Sequence, residues 1–340
     1  MKKHFNKVLS LISVFLLTGC QVPLEEIEYT SYTKGPLTME GDHFRILQLT
    51  DIHFGLATHF IEEWPYFDVL IERANPNLIV MTGDQFMNAS TDVVHKLYSY
   101  MDSKDIPWTL TFGNHDRQGF YTPQFMSNQK TYDAYGNSYY INLNDNLAGQ
   151  GNHYINLEKD GEIKWQFFML DSGSYHKTSF AYEYGIIDET QIDWYEKVIK
   201  ETNKTVQGVV DFNEINHSDV IPSLAFFHIP LHEYIDAWEA YQNGEAEGSG
   251  VFNDSGVWHG YRNSGFFDRA KNLHSTKGIF VGHDHTNNFA INYEGILLAY
   301  GVKSGRGIYH DPEHIGGRTI TVHADGTLTS EHLFLTYAEI

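Results

Sequence analysis

The run Ile46-Leu47-Gln48-Leu49-Thr50-Asp51-Ile52-His53-Phe54-Gly55 decides how the chain is read. It is a short apolar strand whose carboxyl end presents an acid and an imidazole two residues apart, and Gly55 then turns the chain away. Such a pair at the mouth of a buried strand is half of a metal site. Four later segments share its grammar, a buried strand followed by a polar cluster. They are Gly83-Asp84, Gly113-Asn114-His115-Asp116, His228 after Phe226-Phe227, and Gly282-His283-Asp284-His285. Ligands of open α/β sheets gather at the carboxyl ends of strands, so the five clusters are expected to converge. The glycines before Asp84, Asn114 and His283 permit sharp turns and close backbone approach.

Outward from that strand, apolar runs alternate with helical patterns. Strands are expected over residues 44–50, 77–82 and 108–112, with helices over 60–74 and 91–103, the second carrying Val94, Leu97 and Tyr98 on one face. Residues 121–150 are polar and rich in Tyr, Asn and Gly, and are expected to form a surface excursion over the site. Residues 153–157 and 165–171 read as a hairpin closed by Lys159-Asp160-Gly161, and 188–200 as a helix with an acidic cap. Further buried strands fall at 223–227 and 278–281. The fold class this implies is α/β, one domain over residues 42–340 in which two packed mixed β-sheets are flanked by helices.

The 340 residues carry a formal charge of −21, with 22 Tyr and 22 Phe to fill a core. Basic residues are not clustered enough to form a groove for nucleic acid, so none is indicated. At the start, Lys2, Lys3 and Lys7 precede an apolar run, residues 8–17, too short to span a bilayer as a helix. It ends in Leu17-Thr18-Gly19-Cys20, which resembles the lipobox of bacterial lipoproteins, and Cys20 is the one cysteine in the chain. The expectation is a lipoprotein signal peptide over 1–19, lipidation of Cys20, and a tether over 20–41 with Pro23 and Pro36. The domain would then sit outside the cytoplasm, lipid-anchored to the bacterial cell membrane and without disulfides.

Taken in order, D-x-H, G-D, G-N-H-D, a lone H and G-H-D-H resemble the calcineurin-like metallophosphoesterase superfamily over most of residues 44–309. Longer phrases, Phe226-Phe227-His228-Ile229-Pro230, Asn263-Ser264-Gly265-Phe266-Phe267 and Tyr300-Gly301-Val302-Lys303-Ser304-Gly305, are similar to its purple-acid-phosphatase-like branch. The resemblance implies a four-layer αββα sandwich and two divalent metal ions (Mn, Fe or Zn). Asp51, His53 and His285 would hold one ion, Asn114, His228 and His283 the other, and Asp84 would bridge them. It further implies hydrolysis of phosphate esters by a bimetal-activated hydroxide; His115, beside a ligand, would protonate the departing alkoxide or hold the phosphate, with Asp116 a candidate partner to orient it. Two cations against the carboxylates of Asp51 and Asp84 leave the site positive in an acidic protein, which suits a phosphate ester. Asp284 is a further candidate beside the ligands, and Arg117 and Lys303 are candidate phosphate contacts.

One departure matters. Purple enzymes carry a metal-ligating Tyr in G-D-x-x-Y, whereas this chain has Gly83-Asp84-Gln85-Phe86-Met87, so no purple colour is expected. Most of the 19 histidines, His153 and His332 among them, are expected to be surface or satisfied core residues. The aromatic segment 238–261, with Trp238, Tyr241, Trp258 and Tyr261, is weighed as a lid against ordinary packing. The alternative function is a non-catalytic surface lipoprotein that binds metal or a phosphorylated ligand. His115 argues against it, because a pure binder has little use for a proton donor beside two metals.

Overall fold

The computed structural model describes residues 33–55, 60–118, 122–142, 146–177 and 182–335. The expected signal peptide, the lipidation at Cys20 and most of the tether lie outside these residues. Two sheets dominate. The smaller has five strands in the order Leu328–Phe334, Gly316–His323, His43–Leu49, Leu78–Thr82, Trp108–Thr111, the last three mutually parallel. The larger has eight, and its centre is a parallel set, Glu162–Met169, Ser223–Phe226, Thr276–Val281 and Ile296–Tyr300.

Period-two alternation sorts each strand between two cores. Phe44, Ile46, Leu78 and Val80 of the small sheet meet Phe167, Met169, Leu224, Phe226 and Phe280 of the large one between the sheets. The alternate residues Leu47, Leu49, Ile79 and Met81 face outward against Phe67 and Leu70 of helix Phe60–Ala74 and Val94, Leu97 and Tyr98 of helix Thr91–Asp102. On the far side, Ala225, Phe227, Ile279 and Val281 pack on Tyr195 and Val198 of helix Glu189–Gln207 and Phe266 of helix Phe266–Asn272. The result is helix, sheet, sheet, helix, an α/β sandwich of mixed sheets. Gln48 is one of the polar side chains in the inter-sheet layer. Its Nε2 donates to Thr82 Oγ1 at 2.9 Å and to the Val281 carbonyl at 3.0 Å, tying the two sheets together beside the strand ends.

The hairpin His153–Lys159/Glu162–Met169 turns through Asp160 and Gly161 at φ 55° and 80°, the left-handed pair of a type I′ turn. Asp188 caps Glu189–Gln207 with Gln191 completing a capping box, and the helix runs to Gly208 in the left-handed conformation. Two expectations are corrected. Leu37–Thr38, assigned to the tether, is an edge strand paired with Leu157 and Glu158, because Leu37 and Met39 are apolar and buried. Residues 122–142 do not cover the site. Met126 and the rings of Tyr132, Tyr135 and Tyr140 are buried with Tyr98 and Trp108 outside the small sheet, and the Tyr98 and Tyr132 hydroxyls meet at 3.0 Å. Tyrosine made that stretch look polar while supplying apolar area. No helix among the described residues is long and apolar enough to cross a membrane.

Candidate metal centre

Strands of both sheets end at one edge of the sandwich, and Thr50 and Lys303, one from each sheet's strand ends, form a parallel bridge there. Beyond those ends the backbone is bent hard. Asp51, His53, Asp84 and His283 have φ of 53°, 56°, 50° and 81°, a left-handed region that costs a non-glycine residue roughly 1–3 kcal/mol. Cross-bonds hold them there: Asp51 N donates to the Gly83 carbonyl at 3.1 Å, His53 N to the Asp84 carbonyl at 2.9 Å, and His283 N to Asp51 Oδ2 at 3.0 Å. The chains also run too close for side chains on the glycines. A Cβ at Gly113 would collide with the Asp84 carboxylate, and one at Gly282 with Thr50 Oγ1 and Asp51.

Two clusters result, Asp51/His53/His285 and Asp84/His228/His283, all buried, with the ligand atoms of each within 4.8 Å of one another. In the first, Asp51 Oδ1 lies 3.6 Å from His53 Nε2 and 3.4 Å from His285 Nε2, and the two nitrogens are 3.0 Å apart. In the second, His228 Nε2 lies 3.2 Å from Asp84 Oδ2 and 3.2 Å from His283 Nδ1. The same Asp84 Oδ2 is 3.8 Å from His53 Nε2, so it stands between a nitrogen of each cluster. Carbonyls fix two tautomers, because a carbonyl only accepts. His228 Nδ1 donates to Thr82 O at 2.9 Å and His285 Nδ1 to Tyr309 O at 2.9 Å, which turns both Nε2 lone pairs inward.

Asp51 Oδ1, Asp84 Oδ2 and Asn114 Oδ1 are buried with no hydrogen-bond partner. Asn114 is aimed by its own amide, whose Nδ2 donates to Tyr175 OH at 2.9 Å. Unpartnered buried oxygens beside inward lone pairs are what a cation satisfies, so the residues present fit a pair of divalent ions with N and O ligands. The protonation states agree. Burial lowers His53 to about 4 and His283 to about 3, leaving both neutral. Burial would raise Asp51 and Asp84, but the adjacent histidines, His228 foremost, hold both below the usual carboxylate range. For His228 burial is outweighed by Asp84 and Asp51, which raise it to about 10. A proton there and a cation between the acids are alternative ways of balancing the same two carboxylates.

Residues 44–287 match the family described as calcineurin-like phosphoesterase, which is most of the chain. The chain belongs to that family. Among its relatives, "Probable inactive purple acid phosphatase 29" of Arabidopsis thaliana is 27% identical over 86% of this chain and 79% of its own length. "Probable inactive purple acid phosphatase 14" of the same plant is 29% identical over 92% of this chain and 81% of its own. "Phosphatase DCR2" of Saccharomyces cerevisiae is 27% identical over 78% of this chain, which spans 48% of the yeast protein. A dimetal phosphatase from Danio rerio shares the fold, with a TM-score of 0.56, 14% identity and coverage of 86% and 99% of the two chains.

This calcineurin-like phosphoesterase treats the other expected residues unevenly. His115 lines the cleft of about 420 Å³ in front of the clusters, its backbone N donating to Asp84 Oδ1 at 2.7 Å. Asp116 does not orient it: the Asp116 carboxylate is turned back to accept Phe86 N at 2.9 Å and Gly113 N at 2.8 Å, and His115 Nδ1 has no hydrogen-bond partner. Burial, with Asp84 close by, pushes Asp116 up to about 8. Arg117 does not line the cleft; its guanidinium pairs with buried Asp171. Lys303 is likewise behind the centre. It is only 2% exposed and its Nζ donates to the Asp51 carbonyl at 2.7 Å, bracing the bent backbone. Asp284, between two ligands in the chain, is buried, its carboxylate accepting from Tyr300 OH at 2.5 Å and from Trp258 N at 3.3 Å.

Sequence reasoning missed Tyr184, Asp254, Ile308 and Tyr309, which line the same cleft with Trp258. Tyrosine and isoleucine read as core residues from sequence, and only the geometry puts these at the mouth. The supposed lid divides: Trp238 packs on Tyr241, Phe252 and Phe289, residues 247–249 form an edge strand, and Trp258 alone of the four aromatics reaches the cleft. His153 is a satisfied core histidine, its nitrogens 2.6 Å from Thr109 Oγ1 and from the Gly151 carbonyl.

Proposed function

We propose that this chain hydrolyses phosphate esters at a dinuclear centre, with Asp51, His53 and His285 holding one ion and Asn114, His228 and His283 the other. The observation that carries the reading is Asp84 Oδ2, unpartnered and set between His53 Nε2 and His228 Nε2, where one oxygen serves both sides. When bound, Mn, Fe or Zn ions would supply Lewis acidity toward the phosphoryl oxygens and a hydroxide nucleophile at neutral pH. The chain's own residues then divide the work. Asp84 Oδ1, holding His115 N, sets His115 beside the cleft, where its imidazole is placed to give a proton to the departing alkoxide. Lys303 and the Gly83 carbonyl keep Asp51 in its bent conformation.

The plant relatives carry "inactive" in their names, so turnover has to be measured. Full-length protein loaded with Mn²⁺ is expected to release phosphate or alcohol from mono- or diester substrates, and Asp84→Ala is expected to abolish it. Equal activity of the two proteins would sink the reading; metal and phosphate binding without turnover would favour the non-catalytic alternative. Because Met87 stands where purple enzymes carry tyrosine, the iron-loaded protein should lack a strong visible band that chelation removes.

We also propose that the chain is lipid-anchored outside the cytoplasm through Cys20. What supports this is the basic, apolar and Leu17-Thr18-Gly19-Cys20 series alone. Palmitate labelling should disappear in Cys20→Ala; unchanged labelling would refute the anchor.

A further inference from the structure

The cleft wall facing the metal centre differs in character from the centre itself. Trp258 is 46% exposed and Tyr309 53%, unusually open for side chains of that size, and Ile308 beside them is 41% exposed with φ 63°, a strained conformation for a β-branched residue. Each metal cluster has one ring extending from it toward the mouth. Tyr309 lies over His285 with centroids 4.3 Å apart and planes 28° apart, and Tyr184 meets His283 edge-on at 4.3 Å. Asp254 fixes two of the rings: its Oδ2 accepts from Tyr309 OH at 3.1 Å and its Oδ1 from Trp258 Nε1 at 3.3 Å. No lysine or arginine lines this cleft among the described residues.

We propose that this rim makes the site selective for phosphate esters whose alcohol carries an uncharged planar ring, received among Tyr184, Trp258 and Tyr309; the proposal rests on the hydrolase reading above. The phosphoryl group needs no cationic side chain because the two ions provide the positive charge. Farther out, flat aromatic faces reward a ring, while the Asp254 carboxylate repels a second anionic group. Polyphosphates and esters with a carboxylate in the alcohol are therefore poor occupants.

The test compares alcohols of similar basicity, so that bond cleavage itself cancels. On Mn²⁺-loaded full-length protein, kcat/KM for 2-naphthylmethyl phosphate should exceed that for n-propyl phosphate by about 10-fold or more, as one stacked ring would give. In Trp258→Ala the ratio should fall to within about 2-fold of unity on the same scale. Benzyl phosphate should be preferred to 4-carboxybenzyl phosphate, and Asp254→Asn should erase that preference. A binding arm runs beside it: calorimetry should find 2-naphthylmethylphosphonate tighter than propylphosphonate by a similar factor. If no ester is cleaved but the phosphonates are discriminated, the hydrolase reading fails and the ring-binding rim stands. If both esters are cleaved equally and both phosphonates bind equally, the rim proposal is overturned and the hydrolase reading survives.

Discussion

The two ends of the sandwich teach opposite lessons about what a cavity means. At the amino ends of the strands lies the roomier cleft, about 910 Å³, lined by Glu158, Glu162, Lys164, Asp219, Lys277 and Asp325 among others. At the carboxyl ends the cleft is about 420 Å³. None of the side chains lining the larger one has a buried polar atom without a partner, and its left-handed backbone falls on turn glycines, Gly161 and Gly326. The smaller one is lined by Asp84, Asn114, His115 and His283, all with unpartnered buried atoms, and by three non-glycine residues at positive φ. Room is a poor marker of function. Unsatisfied burial and backbone strain mark it better, since folding alone would remove both.

The comparison is sharpest at His115. Its replacement by Asn should lower kcat by roughly 10²–10⁴-fold, the range for a lost proton donor, while two metal ions per chain remain. Metal analysis alongside kinetics checks this; loss of an ion with the imidazole would make His115 a ligand instead. Next in size is the effect of chelation. Ions that bind only the folded chain at about 100 times Kd contribute about 2.7 kcal/mol per site. Removing them should lower Tm by roughly 5–10 °C in a calorimetric scan. An unchanged Tm would mean that the clusters do not take up metal in the folded protein.

Two glycines, one at each end, separate crowding from conformational strain. Gly113→Ala places a methyl against Asp84 and should cost roughly 1–3 kcal/mol, with a loss of Mn²⁺ affinity. Gly161 has open space around it but φ of 80°, so Gly161→Ala should cost roughly 1 kcal/mol from strain and leave Mn²⁺ affinity alone. Equal metal affinity in the two variants would show that the Gly113 contact does not shape the centre.

Much of this was legible in sequence because two signals coincide at the strand ends. Apolar alternation located the strands, and Gly, Asp, Asn and His immediately after them marked side chains that burial alone would not choose. Three things were hidden. Asp116 adjoins His115 in the chain, yet a carboxylate in a tight turn is readily claimed by nearby backbone N–H groups, here Gly113 and Phe86. Lys303 looked like a candidate phosphate contact, but the Asp51 carbonyl and the acids around it draw it inside behind the centre; burial still lowers its pKa to about 8. The rim rings were invisible because Tyr184 and Tyr309 sit on segments with no motif of their own, brought to the mouth by the fold.

The smallest expected effect is at the larger cleft. Lys164 Nζ pairs with Glu162 Oε2 at 2.7 Å, and the glutamate is 72% exposed, so solvent screens most of their attraction. Replacing Lys164 with Ala frees a flexible side chain and leaves no buried charge behind. Tm should move by less than about 1 °C, and kcat/KM and Mn²⁺ stoichiometry should match the parent protein. A several-fold change in kcat/KM would break the contrast between the two ends. With no packed side chain of the centre adjoining this pair, such a change would have to arise from a ligand bound in the larger cleft and coupled through the strands it shares with the metal end.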